Sequence, residues 1–191
     1  MDKRHEKKID DVLRKIEREA YRGNRFLPIV GPEKGRFYYL IAKAVGAKRI
    51  LELGTLIGYS ALIFYKAMDG KGNIVTVDNM KENINEAIDD FIEAGVKNIE
   101  IAHGEAKVAV KKLIARRRKF DIVFLDIEKN EYVDIFDDCL SVLRKGGILL
   151  TDNASWDTKE LIAFRRMLDR NKKAESVIIP IGDGIAMSVK K

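Results

Sequence analysis

Residues 49–60, RILELGTLIGYS, decide how the rest of the chain is read. Ile50, Leu51 and Leu53 make the short apolar run of a strand buried on both faces in a parallel sheet, and the run breaks at Gly54 and Gly58. Tyr59 to Met68 then reads as a helix. A strand that ends in a glycine turn and feeds a helix presents free backbone N–H groups at the carboxyl edge of a sheet, where a polar or anionic ligand docks. Glu52, at the strand tip, is placed to meet a ligand's ammonium or, through water, its other polar groups. The glycines are spaced as G-T-L-I-G, unlike the GxGxxG in which the middle glycine admits a pyrophosphate. The turn therefore suits a nucleoside without a pyrophosphate better than it suits NAD.

Asp78 closes a second apolar run, Ile74 to Val77, and an acid there can accept hydrogen bonds from a ribose diol. A strand-end acid, a glycine turn and a ribose carboxylate together resemble the S-adenosylmethionine site of class I methyltransferases. The candidate cofactor contacts are Glu52, Gly54, Thr55, Gly58, Ser60, Asp78 and Asn79, with Gly104, Glu105 and Ala106 after a third strand and Asp126 after a fourth.

Composition bounds the class. A chain of 191 residues with 46% hydrophobic content can bury one sizeable core, so a single domain is expected, with N-terminal helices over 1–46 and a catalytic core over 47–191. One cysteine, Cys139, excludes an internal disulfide. The N-terminus is charged where a signal peptide needs an apolar stretch, and no run is long enough to span a bilayer, so a cytoplasmic protein without membrane contact is expected. The net charge of +6 favours anionic partners without choosing one. Charged residues at 35% and the absence of glutamine match the bias of heat-adapted proteins.

Along the chain, Ile9, Val12, Leu13, Ile16 and Ala20 recur at helical spacing over Lys3 to Arg22, predicting an amphipathic helix that packs on the sheet or on a second subunit. Pro28, Gly31 and Pro32 mark a loop, and Pro32 opens a helix through Phe37 to Val45. Further on, the spacing predicts strands at 73–78, 98–102, 120–126 and 148–152 and helices at 81–94, 106–117, 132–143 and from an Asp157 cap to 169. Inward faces are expected at Ile84, Ala87, Ile88, Phe91 and Ile92, and at Val133, Phe136, Leu140 and Leu143; Gly146 and Gly147 are expected to end the last of these helices. Val177 to Ile181, a Gly182-Asp183-Gly184 turn and Ile185 to Val189 read as a hairpin. The expected fold is α/β, a Rossmann-like three-layer sandwich around a mostly parallel seven-stranded sheet, with one antiparallel strand in the C-terminal hairpin.

Three strands of such a sheet end in acids on one edge, Asp78, Asp126 and Asp152, and Asn153 follows the last. Asp126, Asp152 and Asn153 form an oxygen-only set suited to Mg²⁺, with Mn²⁺ or Ca²⁺ as alternatives, or else they simply cap turns. The segments LELGTLIGYSAL, VTVD, FDIVFLDIEKNEY, LRKGGILLTDN and IPIGDGIAMSVK closely resemble the cation-dependent O-methyltransferases, the family of catechol and caffeoyl-coenzyme A methyltransferases. The resemblance runs from about Leu40 to Lys190, and FLDxxKxxY with the paired DN is its most diagnostic part. It implies metal ligands at Asp126, Asp152 and Asn153, a catalytic Lys129, and a homodimer. Two departures stand out: ASWDTKELIAF lacks the longer glycine-containing loop after the paired DN, and the N-terminal half of the pocket is unlike that of plant enzymes acting on coenzyme A esters.

The expected reaction moves a methyl group from S-adenosylmethionine to a metal-chelated hydroxyl of a small acceptor such as a vicinal diphenol, with Lys129 accepting the proton or orienting the phenolate. Alternatives are a tRNA acceptor, drawn by Lys111, Lys112 and the run Arg116 to Lys119, and a non-catalytic nucleoside-binding protein. An NAD-dependent reductase is disfavoured by the missing GxGxxG. His103, without a second histidine or a cysteine nearby in sequence, reads as a hydrogen-bonding residue near the ligand.

Overall fold

The computed structural model describes residues 1–191. Seven strands, β1 (Arg49–Leu53), β2 (Asn73–Asp78), β3 (Ile99–His103), β4 (Phe120–Leu125), β5 (Leu143–Thr151), β6 (Ala174–Ile179) and β7 (Ile185–Lys190), form one sheet in the order β3-β2-β1-β4-β5-β7-β6. All neighbours are parallel except those of β7, which runs antiparallel to both β5 and β6. Seven helices cover it: α1 (Lys3–Arg22), α2 (Gly31–Ala44), α3 (Tyr59–Ala67), α4 (Lys81–Ala94), α5 (Ala106–Ala115), α6 (Tyr132–Val142) and α7 (Lys159–Arg170).

The period of two in a strand divides the core. Ile50, Ile74, Ile122, Phe124 and Leu150 point to the face covered by α1 to α4, and Leu51, Leu53, Val75, Val123 and Leu149 to the face covered by α5 to α7. Helix α1 is capped by Asp2, whose carboxylate accepts from the His5 N–H at 2.8 Å, and buries Ile9, Val12 and Ile16. It is tied down by Lys15 to Asp90 at 2.9 Å, by Lys66 to Asp10 at 2.6 Å and by the Tyr59 hydroxyl to Glu17 at 2.6 Å. At the amino edge Asp121 accepts from the Lys48 and Arg49 N–H groups, each at 2.9 Å, and from Arg144 at 2.6 Å, joining β1, β4 and β5.

Four expectations change. Gly146 and Gly147 do not end a helix: β5 begins at Leu143, and the glycines lie in a bulge where its register with β4 shifts between Phe120 and Ile122. Helix α4 turns Asp90 toward Lys15 of α1, which leaves Ile92 72% and Ile88 39% exposed. Val133 likewise faces outward, because Tyr132, Ile135, Phe136 and Cys139 take the inner stripe of α6. The cap of α7 is Thr158, accepting from the Leu161 N–H at 3.3 Å, while Asp157 pairs with Arg165 at 2.9 Å. No helix is long and apolar enough to cross a membrane.

Candidate active site

The strand order reverses between β1 and β4, and the crevice outside their carboxyl ends is where an open α/β sheet binds ligands. The glycine turn stands there. Gly54 has φ +100°, and a Cβ on it would lie 2.0 Å from the Asp126 carbonyl oxygen, so only glycine lets the turn rest against the end of β4. Gly58, with φ +81°, caps α3 and faces the Phe91 ring at 2.4 Å from a built Cβ. The expected cofactor loop and Asp126 are thereby brought together.

Glu52 is not at the open rim. It is fully buried, accepting from Ser60 Oγ at 2.6 Å and from Thr76 Oγ1, which also bonds Thr55 Oγ1 at 2.6 Å. Burial raises its carboxyl to about 7, against the two hydroxyl bonds that lower it. Glu52 and Ser60 thus brace the turn from beneath and do not offer a free acceptor to a ligand's ammonium.

Asp78 is at the rim, with its carboxylate already engaged. One oxygen accepts from the Thr55 and Leu56 N–H groups at 3.0 and 2.9 Å, the other from the Met80 N–H at 2.9 Å and Asn83 Nδ2 at 3.1 Å. Four donors fill the four lone-pair positions of a carboxylate. Asn83 is the one side-chain donor among the four. Beside Asp78, Gly104 donates its N–H to the Asp78 carbonyl at 2.9 Å and has φ +145° with nothing within 4 Å of a built Cβ. Asn79 and Glu105 border this open space as exposed residues, Ala106 is buried behind it, and His103 Nε2 lies 3.2 Å from the Asn79 carbonyl oxygen. Met80, 52% exposed beside Asp78, offers an apolar surface there that periodicity could not single out.

The second cluster surrounds Asp152. Lys34 Nζ donates to both Asp152 carboxylate oxygens at 2.7 Å and to Asp183 at 2.6 Å, and the Tyr38 hydroxyl donates to Asp152 at 2.9 Å. Lys34 and Tyr38 are four apart on α2 and so share one face. Burial and the charge of Asp126 raise Asp152 to about 6; Lys34 and Tyr38 pull it back, leaving it the ionised partner of an ammonium at neutral pH. Burial pulls Lys34 down, but Asp152 and Asp183 outweigh it and hold it raised. Burial also opposes the lowering of Asp183, which its bonds from Lys34 and Asn153 impose. Asn153, held at φ 55°, donates its side-chain N–H to Asp183, and that carboxylate fixes which edge of the amide faces it.

Asp126 and Lys129 form the third part. Lys129 Nζ donates to Asp126 Oδ1 at 2.9 Å, to the Ile127 carbonyl at 3.0 Å and to the Tyr132 hydroxyl at 3.0 Å, on a short 3-10 turn over Lys129–Glu131. These three acceptors match the three N–H bonds of an ammonium.

The oxygen set implied for Mg²⁺ is partly engaged by lysines. Lys34 bonds both Asp152 oxygens and Lys129 bonds one Asp126 oxygen, so an ammonium stands against the carboxylate that a divalent cation would need. With the Lys34 ammonium in place, the residues do not fit a divalent cation as well. Lys34, Tyr38 and Asp183 escape a sequence reading because a lysine in a helix's first turns and an acid between two glycines usually face water; only the Lys34–Tyr38 spacing hinted at a shared face. In the basic stretch, Arg118 pairs with Glu100 at 3.2 Å and Lys119 bonds the Ser141 carbonyl at 2.6 Å.

Sheet order, the antiparallel β7 and the glycine turn at the switch point define the Rossmann-like methyltransferase fold. The chain belongs to the O-methyltransferase family, whose profile matches residues 3–191. It is 29% identical over 177 residues to caffeoyl-CoA O-methyltransferase 1 of Zea mays, covering 81% of this chain and 69% of that one. It is also 29% identical over 181 residues to the catechol O-methyltransferase of Niastella koreensis, covering 85% and 82%. Among solved structures, an O-methyltransferase from Bacillus cereus in complex with SAH superposes with a TM-score of 0.84 at 23% identity over 95% of this chain and 91% of that one.

Proposed function

We propose that this O-methyltransferase moves a methyl group from S-adenosylmethionine to a hydroxyl of a small, catechol-like acceptor. One observation carries the reading: the Gly54 turn rests on the Asp126 carbonyl, so a ligand held by the turn lies beside the Asp126–Lys129 pair. Relatives named for catechol and caffeoyl-CoA support the acceptor class.

S-adenosylmethionine would supply the methyl group on a positively charged sulfur. Asp78 would accept the ribose diol after Asn83 is displaced, and Gly104, Asn79 and Met80 would border the base. Lys129 would orient the acceptor oxygen. The second oxygen of Asp126 has no hydrogen bond within the chain and would take the hydroxyl proton. The acceptor oxygen then forms its bond to the methyl carbon as the carbon–sulfur pair returns to sulfur, yielding a methyl ether and S-adenosylhomocysteine. Rigid placement of both reactants on one sheet edge contributes several kcal/mol to lowering the barrier. A Mg²⁺, Mn²⁺ or Ca²⁺ on Asp126, Asp152 and Asn153 would have to contend with the Lys34 ammonium already paired with Asp152.

The test is calorimetric titration with S-adenosylmethionine followed by mass spectrometry of catechol incubated with both. Binding and a methylated catechol are expected, both weakened in Asp126→Asn. Absence of S-adenosylmethionine binding would refute the reading, whereas binding without a methylated product across a panel of hydroxylated acceptors would leave only a nucleoside-binding role.

A further inference from the structure

Lys34 stands where the family resemblance puts a divalent ion. Its ammonium is buried, its three N–H bonds meet three carboxylate oxygens at 2.6 to 2.7 Å, and Tyr38 clamps Asp152 from the next turn of α2. The methylene stem is covered by the turn at Gly182, where a Cβ would lie 3.6 Å from Lys34 Cε. The helix that carries it is locked in place, since Gly35 packs against Ile63 so closely that a Cβ would come within 2.6 Å of the Ile63 side chain.

We propose that Lys34 is the permanent cation of this acceptor site and that the chain transfers methyl groups without a divalent metal. The proposal rests on the function given above. Two like-charged carboxylates brought this close need a cation between them, and the chain supplies one covalently. A divalent ion at Asp152 would have to stand against the Lys34 ammonium or expel it, and expulsion breaks a buried pair, which is strongly unfavourable. Lys34 is thus a positioning residue. It neutralises Asp152 and Asp183, so that an acceptor oxyanion approaching Lys129 is not repelled by the rim, and it holds Asn153 in place through Asp183.

The experiment uses the full chain with S-adenosylmethionine bound. Titration with Mn²⁺ followed by electron paramagnetic resonance should show no saturable site in the wild type, and excess EDTA should leave catechol turnover unchanged. Lys34→Met frees both carboxylates, so it should acquire a saturable Mn²⁺ site that the wild type lacks. The same variant should lose at least about tenfold in kcat, because un-neutralised Asp152 and Asp183 would repel the acceptor oxyanion. A saturable Mn²⁺ site in the wild type that disappears in Asp152→Asn, or turnover abolished by EDTA and restored by Mg²⁺, overturns the proposal. If Lys34→Met does not fold, nitrogen NMR of the wild-type lysine ammonium groups decides: a protected signal unmoved by Mg²⁺ supports the proposal, and its loss on adding Mg²⁺ defeats it. Should no acceptor be methylated with or without metal, the functional reading fails, while the Mn²⁺ titration still reports on Lys34 alone.

Discussion

Replacing Glu52 by glutamine should flatten the pH dependence of folding stability. In the native state burial raises this carboxyl from 4.5 to about 7, with the Ser60 and Thr76 hydroxyls acting in the opposite sense. A raised acid is protonated in the folded chain while the unfolded chain has already ionised, so the native state loses stability as pH climbs from 4.5 through about 7 and levels off above. Each tenfold difference in proton affinity is about 1.4 kcal/mol, so the full rise corresponds to about 3 kcal/mol, and the part falling between pH 5 and 8 is about 2.5 kcal/mol. That is a large fraction of the 5–15 kcal/mol typical of a domain. Glutamine keeps the shape and cannot ionise, and the hydroxyl of Ser60 or Thr76 can turn to accept from its amide. Urea denaturation of wild type and Glu52→Gln at half-unit steps over this range should show the gap between them shifting in favour of the variant by about 2 to 3 kcal/mol. Two parallel profiles, separated by a constant amount, would refute the account of Glu52 as a buried acid and return it to the solvated rim.

Gly54→Ala should cost more than about 2 kcal/mol in urea melts, because its Cβ must displace the Asp126 carbonyl from a backbone held at φ +100°; a loss under half of that would mean that the turn is loose. Phe124→Ala should cost about 3–5 kcal/mol, since the ring is fully buried and packs on Tyr38 at 4.9 Å and Phe64 at 5.6 Å between centroids, and a cost near zero by the same assay would show that the stack is not specific. At Asp121, burial is outweighed by two backbone N–H bonds and Arg144, so its carboxyl lies below the ordinary 3.8. Its stabilisation is present above pH 3.8 and lost as pH falls through the lowered value, so Asp121→Asn should cost about 1–2 kcal/mol at neutral pH and progressively less in acid; a gap unchanged with pH would contradict this. Asp78→Ala should weaken S-adenosylmethionine binding while Asn83→Ala leaves it equal or tighter, as calorimetry can measure, and a weakening in both would show that Asn83 is a contact and not a placeholder.

The alternation of strand and helix, the acids ending β2, β4 and β5, and the hairpin were legible because period and punctuation are local properties of the chain. What local pattern could not carry was direction in three dimensions. Ile92 fits the apolar stripe of α4 as well as Asp90 does not, yet the ion pair with Lys15, far away in sequence, turned the helix the other way. Glu52 looked like a strand-tip ligand because a sequence does not reveal that Ser60 and Thr76 close over it. Lys34 and Asp152 are separated by most of the chain, and only the packing of α2 across the sheet makes them neighbours. The glycine bulge in β5 is hidden in the sequence for a related reason, since paired glycines after a helical pattern read as its end.

Helix α2 serves two masters. Its Tyr38 ring is stacked into the aromatic core with Phe64 and Phe124, while the hydroxyl of the same residue, and the lysine one turn earlier, reach Asp152 at the end of β5. Any repacking of those rings therefore shifts the hydroxyl that holds Asp152, so a substitution that changes the packing of this core also moves charge at the sheet's carboxyl edge.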